Sequence, residues 1–174
     1  MMGDDRILTF ARTILRVMLI VNLLAVVGFV IATPASFLFG TALSTHLIAK
    51  YGATLDVAGA LLALRLLMVM AVPCGIAIDV VFRNLLRIVD TVREGDPFTA
   101  VNATRLRAIG WALLAIQLCD LLLGGFTAWF AVLHVQFSTW SPSFGGWISV
   151  LMAFVLAHVF RRGAAMRDDL AMTV

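Results

Sequence analysis

The sequence predicts an all-α, polytopic membrane protein with four transmembrane helices, and three observations carry this. Four long apolar stretches divide the chain, at about 14–32, 57–82, 108–133 and 144–160. The composition is 62% hydrophobic and 13% charged, with a mean hydropathy of +1.03. A soluble domain of this size cannot hide so much apolar surface, so the bilayer must be its solvent. The third observation is where the 13 basic residues fall. Arg6, Arg12 and Arg16 precede or enter the first stretch. Arg83, Arg87, Arg93, Arg105 and Arg107 lie between the second and third. Arg161, Arg162 and Arg167 follow the fourth, whereas the other two connections hold only Lys50. That alternation is the positive-inside pattern of a four-span protein with both termini in the cytoplasm.

Residues 1–174 then form a single four-helix transmembrane domain, a four-helix bundle with a cytoplasmic turn at 83–107 and a C-terminal tail at 161–174. A hydrocarbon core about 30 Å thick needs roughly 20 apolar residues per helix. The first three stretches meet that length. The fourth is near the lower limit and borrows Trp140 and Trp147 as interfacial anchors. The first stretch has basic residues before it, as a signal peptide would, but its n-region is long and the small residues near Ala32 and Ala35 make a poor cleavage site. The net charge of +3 and pI near 9.5 are accounted for by topology and anionic headgroups, without direct nucleic-acid binding.

Asp4 and Asp5 suit a helix N-terminus, and Pro34 is expected to end the first span. The semi-apolar run 37–47 reads as a short interfacial helix, and Asp56 as the N-cap of the second span. Pro73-Cys74-Gly75 predicts a kink in that span. Its helix continues into the cytoplasm through Glu94. Val81, Leu85, Val89 and Val92 lie on one side of this extension, and Arg83, Arg87, Asp90 and Glu94 on another. Asp79–Arg83, Arg87–Asp90 and Asp90–Arg93 have the spacing of pairs along a helix. Gly95 is a terminator, Asp96-Pro97 a turn signal, and Thr99 or Asn102 a cap for the next helix. Gly124, Gly125 and Ala128 give the third span a small face, and Ala153 and Ala157 do so in the fourth. Such faces permit close helix contact, within the chain or in a homodimer. Ser141-Pro142 starts the fourth span, which is adjacent and antiparallel to the third. The tail after Phe160 is a candidate amphipathic helix.

Charges at membrane depth face the protein interior and find partners. Arg65 lies about 14 Å, and Asp120 about 21 Å, from the outer ends of their spans. Long side chains can close most of that difference, so an Arg65–Asp120 ion pair is expected, with Gln117 in the same polar cluster. This cluster either fixes helix rotation or lines a ligand, ion or proton path. His134 and His158 sit at opposite ends of their spans and cannot ligate one haem iron. Cys74 and Cys119 read as small packing residues. No catalytic or metal-ligating motif is present, which points away from an enzyme, a metal site and a cofactor.

Two segments carry a family resemblance. One is Gly95-Asp96-Pro97-Phe98 followed by Asn102, Arg105, Leu106, Arg107, Ile109 and Gly110. The other is Val159-Phe160-Arg161-Arg162-Gly163, then Met166, Asp168 or Asp169, and Thr173-Val174. Together they resemble the bacterial membrane proteins of domain of unknown function 2975. The resemblance implies a multi-pass protein of the bacterial inner membrane without assigned activity. Its members are often encoded beside a small helix-turn-helix regulator, which implies a membrane partner of a cytoplasmic transcription factor. The surface for that partner would comprise Asp96, Pro97, Phe98, Asn102, Arg105, Arg107, Gly163, Thr173 and Val174. Two other readings stay open: a small transporter, channel or lipid-binding protein using Arg65 and Asp120, and an accessory subunit of a membrane complex.

Overall fold

A computed structural model describes residues 2–52, 56–95, 97–132, 141 and 143–171, except the side chains of 2–5, 51, 129–132 and 168–171. The described residues form five helices: α1 (Met2–Leu38), α2 (Gly40–Tyr51), α3 (Val57–Arg93), α4 (Ala100–Val132) and α5 (Phe144–Ala171). All but α2 are long and apolar enough to cross a membrane.

Burial is the reverse of a soluble protein's. The interior is lined by Ala60, Ala63, Ala77, Ala103, Ala112, Ala153, Ala157 and Ala164, while Val17, Leu24, Ile31, Val69, Leu122, Leu151 and Val155 point outward. Small residues at helix contacts with large apolar ones around them mark a fold whose solvent is lipid.

The helix axes neighbour one another in the order α1, α3, α4, α5, each antiparallel to the next. Among the described residues the α5 backbone neighbours that of α4 alone, and the α1 backbone those of α2 and α3. The spans thus make an open row within the four-helix arrangement expected. In lipid no hydrophobic force drives the row to close, so adjacency follows side-chain fit. α1 lays Asn22 and Val26 against Gly75 of α3, where Asn22 Nδ2 donates to the Gly75 carbonyl at 2.9 Å. Ala60 and Ala63 of α3 meet Leu47 and Phe126. Toward the arginine-rich end, Leu106 and Ile109 of α4 meet Ala153 and Ala157 of α5, joined by Val81, Leu85 and Ile88 of α3.

The caps follow the sequence in several places. Asp56 Oδ1 accepts from the Gly59 amide at 3.1 Å, Gly95 ends the chain's passage out of α3 at φ +88°, and Asp79 pairs with Arg83. α3 extends to Arg93 as expected. Several expectations are refined. Pro34 lies inside α1, which runs on to Leu38. Around it, Thr33 donates to the Phe29 carbonyl at 2.8 Å and Ser36 to that of Thr33 at 2.7 Å. The short helix covers Gly40–Tyr51, later than 37–47, because α1 occupies the start of that run. Asp90 also reaches across to Arg12 of α1 at 3.1 Å, with both side chains about one-third exposed, a partner that spacing along one helix does not show. The tail continues α5 without a break to Ala171. Of the small face on α4, Gly124 is buried, but Gly125 and Ala128 are exposed.

α5 begins beside the middle of α4, because Gln117 Nε2 donates to the Ser143 carbonyl at 3.3 Å. Past that level α4 continues to Val132, a further rise of about 22 Å. α5 is therefore displaced toward the arginine-rich end, where α3, α4 and α5 come together.

Candidate functional site

At that end, the connection from α3 to α4 is held by one side chain. Asn102 is fully buried. Its Nδ2 donates to the Pro97 carbonyl at 2.9 Å and to Thr91 Oγ1 at 2.8 Å, and its Oδ1 accepts from Arg105 Nη1 at 2.9 Å. The same Arg105 nitrogen lies 3.0 Å from the Arg87 carbonyl. The Thr91 hydroxyl in turn donates to the Ile88 carbonyl at 2.8 Å. Thr99 caps α4, its hydroxyl accepting from the Asn102 amide at 3.2 Å. One amide therefore ties the last turn of α3, the connection and the first turn of α4.

That fixing aims Phe98 at α5. Its ring lies 5.0 Å from the Phe160 ring, tilted by 38°, and packs over Gly163, where a Cβ would come within 3.2 Å of the Phe98 ring. Phe98 is still 46% exposed, so one edge is shared with α5 and the other is open. The two segments singled out in the sequence, some sixty residues apart, thus form one surface. Its expected members divide, however. Asn102 is inside and cannot meet a partner, because a carboxamide with this many partners would lose them on turning outward. Arg105 is half-buried beneath the connection. Arg107 faces a separate cleft between α4 and α5. Pro97, Phe98 and Gly163 remain at the surface or next to it, while Asp96, Thr173 and Val174 lie outside the described residues.

Among the intramembrane polar residues, Arg65 and Gln117 bond the ends of different helices. Arg65 Nη2 donates to the Ser36 carbonyl at 3.1 Å, and its Cζ sits 3.9 Å from the centre of the Phe37 ring. Ser36 lies in the last turn of α1, where carbonyls lack helical partners and carry the negative end of the dipole. A guanidinium there satisfies both, and the ring face adds a cation–π contact. Gln117 is buried and joins α4 to the start of α5, fitting over Gly146, where any side chain would collide with it. Asp120 and Cys119 of α4 stand near Cys74 of α3.

The model of the family described as a protein of unknown function, DUF2975, matches residues 47–174. The chain belongs to this family. No curated protein and no solved structure matches it. The DUF2975 match takes in the second half of α2, all of α3, α4 and α5, and both segments of the Phe98 surface, and α1 lies ahead of it.

In this DUF2975 chain three participants escaped the sequence reading. Thr91 was passed over because a hydroxyl on a helix usually bonds its own backbone, as Thr91 also does. Arg12 and Asn22 carried a usable signal: with Leu15, Leu19 and Val26 they occupy the less exposed stripe of α1, spaced three and four apart. A polar residue on such a stripe needs a partner on the next helix. The Cys74–Cys119 contact depends on the register between α3 and α4, which no local pattern reports.

Proposed function

We propose that this protein is a non-enzymatic regulatory protein of the bacterial inner membrane, with its arginine-rich end in the cytoplasm, and that a small helix-turn-helix transcription regulator docks there. The observation that supports this reading is the half-exposed Phe98, held against Phe160 and Gly163 by a buried hydrogen-bond web. An aromatic anchor on a rigid base loses little entropy on binding, and such anchors dominate docking surfaces. Arg93, Arg105 and Arg162 near this end supply the charge that would orient a partner. The docking surface is accordingly narrower than the sequence suggested, with Phe98 at its centre and Asn102 as its support. Arg65 is engaged with the end of α1, which supports a structural role for it and takes weight from a transport path.

The test is to purify the tagged protein from its own host in mild detergent and identify what travels with it. A stoichiometric DNA-binding protein is expected, lost in Phe98→Ala while the variant still inserts and melts like the wild type. Normal partner recovery with Phe98→Ala, or recovery of no DNA-binding protein with the wild type, overturns the reading.

A further inference from the structure

Between α4 and α5, away from Phe98, lies a cleft of about 300 Å³. Thr104 and Arg107 of α4 and His158 and Arg161 of α5 line it, over a floor that includes Ala103 and Ala157. No carboxylate is among its described lining residues. Two guanidinium groups from different helices therefore share a small concavity with no carboxylate among its described lining residues, an arrangement that favours entry of an anion. The Arg161 guanidinium can only donate, so in its 3.2 Å contact with His158 Nδ1 the ring nitrogen accepts. The imidazole proton then sits on Nε2 as a further donor.

We propose that this cleft binds the headgroup of an acidic phospholipid, with the phosphate between Arg107 and Arg161. Position favours a lipid over a free ion. Arg107 immediately precedes the apolar run of α4 and Arg161 immediately follows that of α5, so the cleft opens at the bilayer boundary. One wall is Phe154, with the half-exposed Trp111 edge-on to it at 5.5 Å. Tryptophan settles at headgroup depth, and the two rings offer an apolar path for an acyl chain that a free anion would not use. Basic clefts between spans at this depth suit acidic headgroups. The small floor is what makes room: larger side chains at Ala103 and Ala157 would fill it. The proposal does not rest on a regulator docking, since Phe98 is not part of the cleft.

The test is native mass spectrometry of the purified protein in mild detergent, titrated with palmitoyl-oleoyl phosphatidylglycerol or with the phosphatidylcholine of the same chains. Wild type is expected to retain phosphatidylglycerol preferentially. The Arg107→Gln, Arg161→Gln double variant is expected to lose that retention roughly tenfold or more. Thr104→Phe, which fills the cleft and leaves both arginines, should lose it too, and guards against misfolding of the charge variant. Arg162→Gln, exposed and outside the cleft, should retain the lipid. Equal retention of the two lipids, equal loss in Arg162→Gln, or displacement of the lipid by inorganic phosphate at similar concentration would each overturn the proposal, the last in favour of a soluble anion.

Discussion

Asn102 shows how much of this architecture rests on single polar groups. Removing its fully buried carboxamide leaves the Pro97 carbonyl and Thr91 Oγ1 each short of a partner and Arg105 Nη1 with the Arg87 carbonyl alone. An unsatisfied buried group costs about 1–3 kcal/mol, so Asn102→Ala is expected to destabilise the protein by roughly 2–4 kcal/mol. The thermal unfolding midpoint in detergent should fall clearly below that of the wild type. Phe98→Ala gives up one aromatic contact at a half-exposed position and should cost about 1 kcal/mol. A larger loss from Phe98→Ala than from Asn102→Ala would mean that the aromatic contact with α5, and not the hydrogen-bond web, holds this end. The contrast matters for function, because the residue that carries the surface is then separable from the residue that supports it.

At the scale of helices, contact is set by glycine and alanine on the inward faces. A Cβ at Gly75 would overlap Val26 of α1, whereas a Cβ at Gly28, on α1 itself, would meet nothing within 4 Å. Gly75→Val should therefore separate α1 from α3 at a cost of about 2 kcal/mol or more, and Gly28→Val should be nearly neutral or slightly favourable through helix propensity. Limited proteolysis of the two variants in detergent checks this, with faster release of the α1 segment expected in Gly75→Val alone. Similar cleavage of both would show that α1 is held elsewhere, for instance through Arg12–Asp90. The helices themselves were legible in the sequence, because runs of apolar residues and caps such as Asp56 and Gly95 act locally. Pairing was less so. Gly75 read as a weak point that would kink α3, yet it is where α1 seats. Arg65 and Gln117 have suitable depths for one cluster but bond the ends of different helices, since depth along a span says nothing about the direction in which a side chain leaves it. The Phe98 surface was found from two motifs, but motif membership could not separate Asn102, which faces inward, from Phe98, which does not.

For the molecule as a whole, an open row differs from a bundle in what its outer helices must do. α1 and α5 each present most of their circumference to lipid, as the exposed Val17, Leu24 and Ile31 on one and Leu151, Val155 and Val159 on the other show. A row lacking a closed core depends on the bilayer and on its end contacts for its shape. Arg12–Asp90 and the Asn102 web lie at one end, and the Arg65–Ser36 contact at the other. The basic end holds nearly all of the arginines, and charge of that sign is retained on the cytoplasmic side during insertion. In a Cys74→Ala, Cys119→Ala background, Lys50→Cys should react with a membrane-impermeant maleimide added to intact spheroplasts. Glu94→Cys should react only after the membrane is permeabilised. Both positions are exposed, so access to reagent and not burial decides the result. The reverse pattern would put the Phe98 surface outside the cell, where no transcription regulator could reach it. Labelling of both positions in intact spheroplasts would instead mean that α3, despite its length and hydropathy, does not cross.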